Sequence, residues 1–134
     1  MSDAKLGRIA LIGLRWSLGT AFLSAVASRL GLLGSAGGDW QSFLKYAAQV
    51  NWYLPPGLVP VVAIAATVLE STFGCLLIVG WQVRRAAFGS AGLLMMFALA
   101  MASGEPRSPF DYSVFTASFG AFTLATTYEQ DKAK

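Results

Sequence analysis

Histidine is absent from these 134 residues, cysteine occurs once, and charged residues make up only 13% of the chain. Without histidine, the commonest haem and metal ligand and the side chain that titrates near neutrality are both missing. A metal or haem site would need unusual ligands, so no metal centre is expected. A lone Cys75 excludes an internal disulfide and a CxxC redox pair. Inside an apolar run a free thiol behaves as a small hydrophobe, so core packing is expected of it. Sparse charge beside 55% hydrophobic residues excludes an ordinary soluble fold and leaves an integral membrane protein whose first partner is the lipid bilayer. The net charge of +3 comes from basic residues flanking apolar runs. They read as topology signals, and no nucleic-acid partner is implied.

What is present is long apolar sequence. Leu58 to Gly80 is a run of 23 residues with one carboxylate, Glu70, near its midpoint. A bilayer core of roughly 30 Å needs about 20 helical residues, so this run is long enough to span. An acid at the centre of a spanning helix costs about 2.5 to 3.5 kcal/mol even on lenient insertion scales, so Glu70 should face protein or water. Ala63, Ala66, Thr67, Glu70 and Gly74 share one face by helical spacing and are small apart from the acid, which marks a packing face.

Taken in order, the chain predicts an all-α, integral membrane four-helix bundle. Residues 1–8 form a polar N-terminus, and 9–127 form the transmembrane domain, with spans at about 9–33, 58–80, 86–103 and 112–127. Residues 128–134 form a polar tail, expected to be disordered. Ala25-Val26-Ala27 resembles a signal-peptidase site, but Arg15 interrupts the apolar region that a signal peptide needs, so this segment is read as the first span. The outer loop, 34–57, opens on Gly34-Ser35-Ala36-Gly37-Gly38 and closes on Pro55-Pro56-Gly57. Between them Asp39 can cap a short amphipathic helix carrying Trp40, Phe43, Leu44 and Ala47 on one face. Two accounts fit this helix: an anchor lying on the bilayer, which the aromatic residues favour, or a lid over a cavity between spans.

Asp111 is placed to cap the last helix. There, Ser113, Thr116, Gly120, Thr123 and Thr127 form a stripe expected to face other helices, opposite Phe115, Phe119 and Phe122. Gly19, Gly74 and Gly120 are the candidate close-packing positions. Lys5, Arg8, Arg84, Arg85, Lys132 and Lys134 fall on one side of a four-span chain, against Lys45, Arg107 and Arg29 on the other. Both termini are therefore expected to be cytoplasmic.

Two arginines sit in the first apolar segment, Arg15 and Arg29, on one stripe about 21 Å apart along the helix. Arg29 can snorkel to the interface, whereas Arg15 is deeper and lies at a depth comparable with Glu70 in an antiparallel neighbour. Arg15 and Glu70 are thus expected to pair, either as a buried ion pair fixing helix register or as a site for a proton or a polar headgroup. Arg29 and Asp111 are candidate contributors at the outer end. No self-contained catalytic constellation is visible.

Several segments together are similar to the DoxX family of small bacterial membrane proteins. They are Leu14-Arg15-Trp16-Ser17-Leu18-Gly19 with Phe22-Leu23; Arg29-Leu30-Gly31; Glu70 with Gly74, Leu77 and Gly80; Arg84-Arg85-Ala86-Ala87; and Asp111 through Ser118. The resemblance implies a bacterial inner membrane and redox-linked surroundings. The expected role is a non-catalytic small or anchor subunit of a larger membrane complex, with other membrane or membrane-associated subunits as partners. The alternative it implies is a quinone-binding subunit of a thiosulfate- or thiol-linked quinone oxidoreductase, with quinone as the cofactor to consider. Glycine- and alanine-rich surfaces leave homo-oligomerisation open.

Overall fold

The computed structural model describes residues 1–34 and 38–133, with side chains in the last helix described as far as Tyr128. Ser35, Ala36 and Gly37 of the expected glycine-rich turn lie outside the described residues. The described residues form six α-helices: α1 (Asp3–Arg29), α2 (Trp40–Val50), α3 (Val59–Val79), α4 (Val83–Gly104), α5 (Ser108–Asp111) and α6 (Val114–Ala133). A 3-10 turn at Pro56–Leu58 leads into α3, and there is no strand among the described residues. Among the described residues, three helical segments are long and apolar enough to cross a membrane: Asp3–Arg29, Pro56–Val79 and Val83–Gly104. The expectation of four spans is thereby met for three helices, and α5 is a helix that the apolar pattern did not reveal.

The local causes are legible. The α3 run ends where Gly80 adopts φ 83° and its N–H bonds back to the Leu76 carbonyl, a left-handed cap that favours glycine. Only Gly80, Trp81 and Gln82 separate α3 from α4, which forces the two helices antiparallel. The main packing pairs are α1 with α3 and α4 with α6, and α1–α6 and α3–α4 contacts join the pairs. The core is built from small residues that let backbones approach, including Ala63, Ala86, Ala87, Ala98 and Ala121, filled by Phe22, Leu77 and Leu124. Large apolar side chains such as Ile9, Val61, Val68, Met96 and Phe119 point outward, as a lipid solvent permits.

Gly19 and Gly74 stand where α1 crosses α3. A Cβ on Gly19 would lie 3.1 Å from the Gly74 carbonyl oxygen, and one on Gly74 would lie 3.3 Å from that of Gly19. Gly120 meets only the Leu14 side chain, at 3.3 Å.

Several expectations need correcting. The inward face of α6 is Val114, Ser118, Ala121, Leu124 and Ala125, not the hydroxyl stripe. Thr123, Thr126 and Thr127 satisfy their hydroxyls on carbonyls of their own helix, so they need no neighbour. Ser118 is the exception, donating to the Ala91 carbonyl across the α4–α6 contact at 2.8 Å. Asp111 does not cap α6. Its N–H bonds the Arg107 carbonyl, so it closes α5, and Tyr112 and Ser113 intervene before α6 begins. Cys75 is exposed on the outside of α3 rather than packed in the core. Beyond residue 127 the backbone continues as helix to Ala133, because extending a formed helix costs little compared with starting one.

Asp39 does cap α2: its carboxylate accepts from the Ser42 N–H at 2.7 Å. That backbone hydrogen bond, with help from the Ser42 side chain, holds the Asp39 carboxyl below its usual range. A lowered folded value means the cap contributes fully above the ordinary carboxylate pKa and fades as pH falls through the folded one. Asp39→Ala should therefore speed hydrogen exchange in the first turn of α2 at about pH 7, and the difference should shrink as pH falls below the ordinary carboxylate range. Equal exchange at neutral pH would contradict the capping role.

Candidate functional site

The buried carboxylate that stood out in the sequence is bound, but by a different arginine. Glu70 is 3% exposed and accepts from both terminal nitrogens of Arg29, Nη1 to Oε2 and Nη2 to Oε1, the latter at 3.2 Å. Nη1 also donates to the Thr67 hydroxyl at 3.3 Å, and Thr67 in turn donates to the Ala63 carbonyl. The expected Arg15–Glu70 pair is not formed, and side-chain lean explains why. Gly19 faces Gly74, so in antiparallel register Glu70 lies level with Leu23. Arg29 is then about 9 Å beyond that level and Arg15 about 12 Å before it. Helical side chains tilt toward their own N-terminus. On antiparallel helices that tilt carries Arg29 and Glu70 toward each other and carries Arg15 away.

Arg15 settles at the other end of the molecule. Its Nη1 lies 3.5 Å from the Tyr128 hydroxyl, and a Cβ on Gly80 would fall 2.9 Å from the same nitrogen. The Arg15 Nε is buried with no hydrogen-bond partner among the described residues. A cavity of about 500 Å³ opens at that end, lined by Trp81, Arg84, Arg85, Phe88 and Tyr128.

Arg29 is also where α2 meets the long helices. Its guanidinium lies over the Phe43 ring, 3.9 Å from the centroid, a cation–π contact between α1 and α2. Ala47 and Val50 are buried beneath α2, and Gly104 approaches so closely that a Cβ there would lie 2.6 Å from the Gln49 oxygen. The Tyr46 hydroxyl donates to Ser108 Oγ at 3.0 Å, tying α2 to α5. Burial holds the Tyr46 phenol above its usual range, with the Ser108 bond working the other way. Helix α2 thus seats on protein rather than lying beside it, and it covers a cavity of about 600 Å³ between α3 and α4.

Apolar groups form most of this cavity: Phe43, Ala47 and Val50 from α2; Val62, Ala63, Ala66 and Leu69 from α3; Leu93, Met96, Phe97, Ala100 and Met101 from α4. Arg29 is the one charged residue in the described lining. Of the expected outer-end contributors, Arg29 is therefore central, and Asp111 is exposed and outside the cavity wall. No group of three or more His, Cys, Asp or Glu able to hold a metal occurs among the described residues. The arrangement can hold an apolar molecule against a neutralised guanidinium. It contains no nucleophile–base pair.

The sequence likeness runs through most of the chain and takes in both ends of the helical bundle. The model of the family described as "Methylamine utilisation protein MauE" matches residues 7–109, which include Arg29, Glu70, α2 and all the cavity walls. This overturns the resemblance to DoxX, a different membrane family: the short glycine- and arginine-containing segments that suggested it were each too brief to identify a family. A search of curated proteins and a search of solved structures each find no match.

Proposed function

Because the chain belongs to the MauE family, we propose that it is a membrane-embedded factor of methylamine utilisation, needed to assemble or mature a methylamine-oxidising enzyme and not itself the oxidant. The observation that carries this reading is the family match across three-quarters of the chain, spanning the whole Arg29–Glu70 and α2 region. Chemistry supports the division of labour. Oxidising an amine needs an electron acceptor, and a chain with one exposed thiol and no histidine is a poor holder of one. In this account Arg29, held in place by Glu70, is the working polar group of the cavity, and α2 is its cover.

The membrane arrangement proposed with this function is four spans in a bacterial inner membrane, with α6 as the fourth and both termini cytoplasmic. The excess of Lys and Arg at the termini and the α3–α4 turn supports it, as does the exposure of Phe119 and Phe122 on α6. The cavity and α2 then lie on the outer side. In a Cys75→Ala background, Ser42→Cys should react with a membrane-impermeant maleimide in intact spheroplasts, and Ser2→Cys should react only after lysis. The reverse pattern would refute the orientation.

Deletion of the gene should abolish growth on methylamine as nitrogen source while leaving growth on ammonium unchanged. The methylamine-oxidising enzyme should then accumulate as inactive polypeptide. Normal levels of active enzyme in the deletion strain would overturn the proposed role.

A further inference from the structure

We propose that the cavity beneath α2 binds a neutral, long-chain lipid whose hydroxyl or carbonyl oxygen accepts a hydrogen bond from Arg29. This deepens the reading of the site given above and rests on it. Three observations converge. The first is where the cavity opens: Val62, Leu69, Met96 and Leu99 line it and are also 39%, 42%, 69% and 59% exposed, so its wall reaches the outer surface between α3 and α4. Those two segments are long and apolar enough to cross a membrane, which would turn that surface toward acyl chains and give an occupant from the bilayer the shortest route in.

The second is shape. At about 600 Å³ the space falls within the range of small-molecule sites, and its room comes from alanines at 63, 65, 66 and 100, where larger residues would have closed it.

The third is charge. Glu70 neutralises Arg29, so the site offers no net positive charge and gives an anionic head little advantage over a neutral one. The hydroxyl protons on the wall are already engaged, and Asn51 has one of its two amide N–H groups engaged. Tyr53 donates to Asn51, Asn51 donates to the Ala47 carbonyl, Tyr46 donates to Ser108, and Ser103 donates to the Ala100 carbonyl. The described bonds of Arg29 use three of its five N–H donors, and the two left over sit on a charged group, which makes them stronger donors to a guest than the one remaining neutral amide N–H of Asn51. A single neutral oxygen at the end of an apolar chain is the chemistry that this wall satisfies.

The test uses the full chain in phosphatidylcholine nanodiscs and a photoactivatable diazirine analogue of hexadecanol, with the matching hexadecanoic acid analogue in parallel. Labelling by the alcohol should saturate, concentrate on peptides containing Val62–Leu69 and Met96–Ser103, and be competed by unlabelled hexadecanol. Ala100→Phe should fill the cavity and lower site labelling about tenfold while helix content is unchanged. The acid should label the site more weakly. Labelling that does not saturate, that spreads evenly over the lipid-facing helices, or that favours the acid would overturn the proposal. Competition in the wild-type chain decides the matter even if Ala100→Phe fails to fold. Absent labelling with a retained requirement for growth on methylamine would sink the lipid site alone, and saturable labelling in a chain dispensable for that growth would sink the functional reading alone.

Discussion

Glu70→Leu should be the most damaging single substitution in the molecule, lowering stability to unfolding in mixed micelles by about 3–5 kcal/mol. The loss comes less from the attraction removed than from what remains: an Arg29 guanidinium, its side chain only 13% exposed, deprived of its counter-charge between α1 and α3. It follows that Arg29→Leu combined with Glu70→Leu should be much milder than Glu70→Leu alone, because no buried charge is left over. In a double-mutant cycle Arg29 and Glu70 should couple strongly, while Arg15 and Glu70 should be additive within about 0.5 kcal/mol. Strong coupling to Arg15 instead would mean that the register of α1 on α3 is wrong. The same substitution should weaken the seating of α2, since the Arg29 plane that Phe43 rests on would lose its anchor.

The second large effect is expected at Gly104. Its missing Cβ leaves room for the α2 backbone: the Gln49 oxygen and the Val50 Cα would each be 2.6 Å from an added carbon. Backbone atoms in a formed helix cannot swing aside as a side-chain tip can, so Gly104→Ala must push α2 off the ends of α3 and α4. The cost is about 1–3 kcal/mol, the range for forcing atoms into a filled contact. Hydrogen exchange should show this as faster exchange across Trp40–Val50 with α3 and α4 little changed. Gly120→Ala is the matched control. It meets only a Leu14 methyl at 3.3 Å, which can turn away, so its effect should stay below about 1 kcal/mol. If both substitutions act alike, α2 is not seated as described.

How far the sequence foretells this molecule depends on which physical quantity is asked of it. Long apolar runs, the Asp39 cap and the Gly80 stop are local, and each is visible in spacing and residue type. The isolation of Glu70 in an apolar segment was equally plain, as was its need for a partner. The identity of that partner was not, because periodicity reports which residues share a face and not which way their side chains lean. The choice between Arg15 and Arg29 turns on that lean. The inward face of α6 was missed for a related reason: Thr123 and Thr127 look like interface residues by size and polarity, yet their hydroxyls bond to their own helix. Helix α2 as a cover needed the third dimension, since an amphipathic stripe of Phe43 and Ala47 serves as well against lipid as against protein. A sharper signal was available in Gly104, a glycine at a helix end close to a proline-containing turn, where a near approach of another backbone is a standing reason for glycine.

The most direct test of the central claim is whether the Arg29–Glu70 pair is required for function and not only for folding. A strain lacking the gene is complemented with the wild-type chain or with the combined Arg29→Leu and Glu70→Leu variant, after both are shown to insert at equal levels and to unfold at similar detergent concentrations. Growth on methylamine and the amount of active methylamine-oxidising enzyme are then compared. The stable, uncharged variant should restore neither, because the cavity has lost its charged hydrogen-bond donor. Full restoration by that variant would contradict that expectation and reduce the pair to a clamp between α1 and α3.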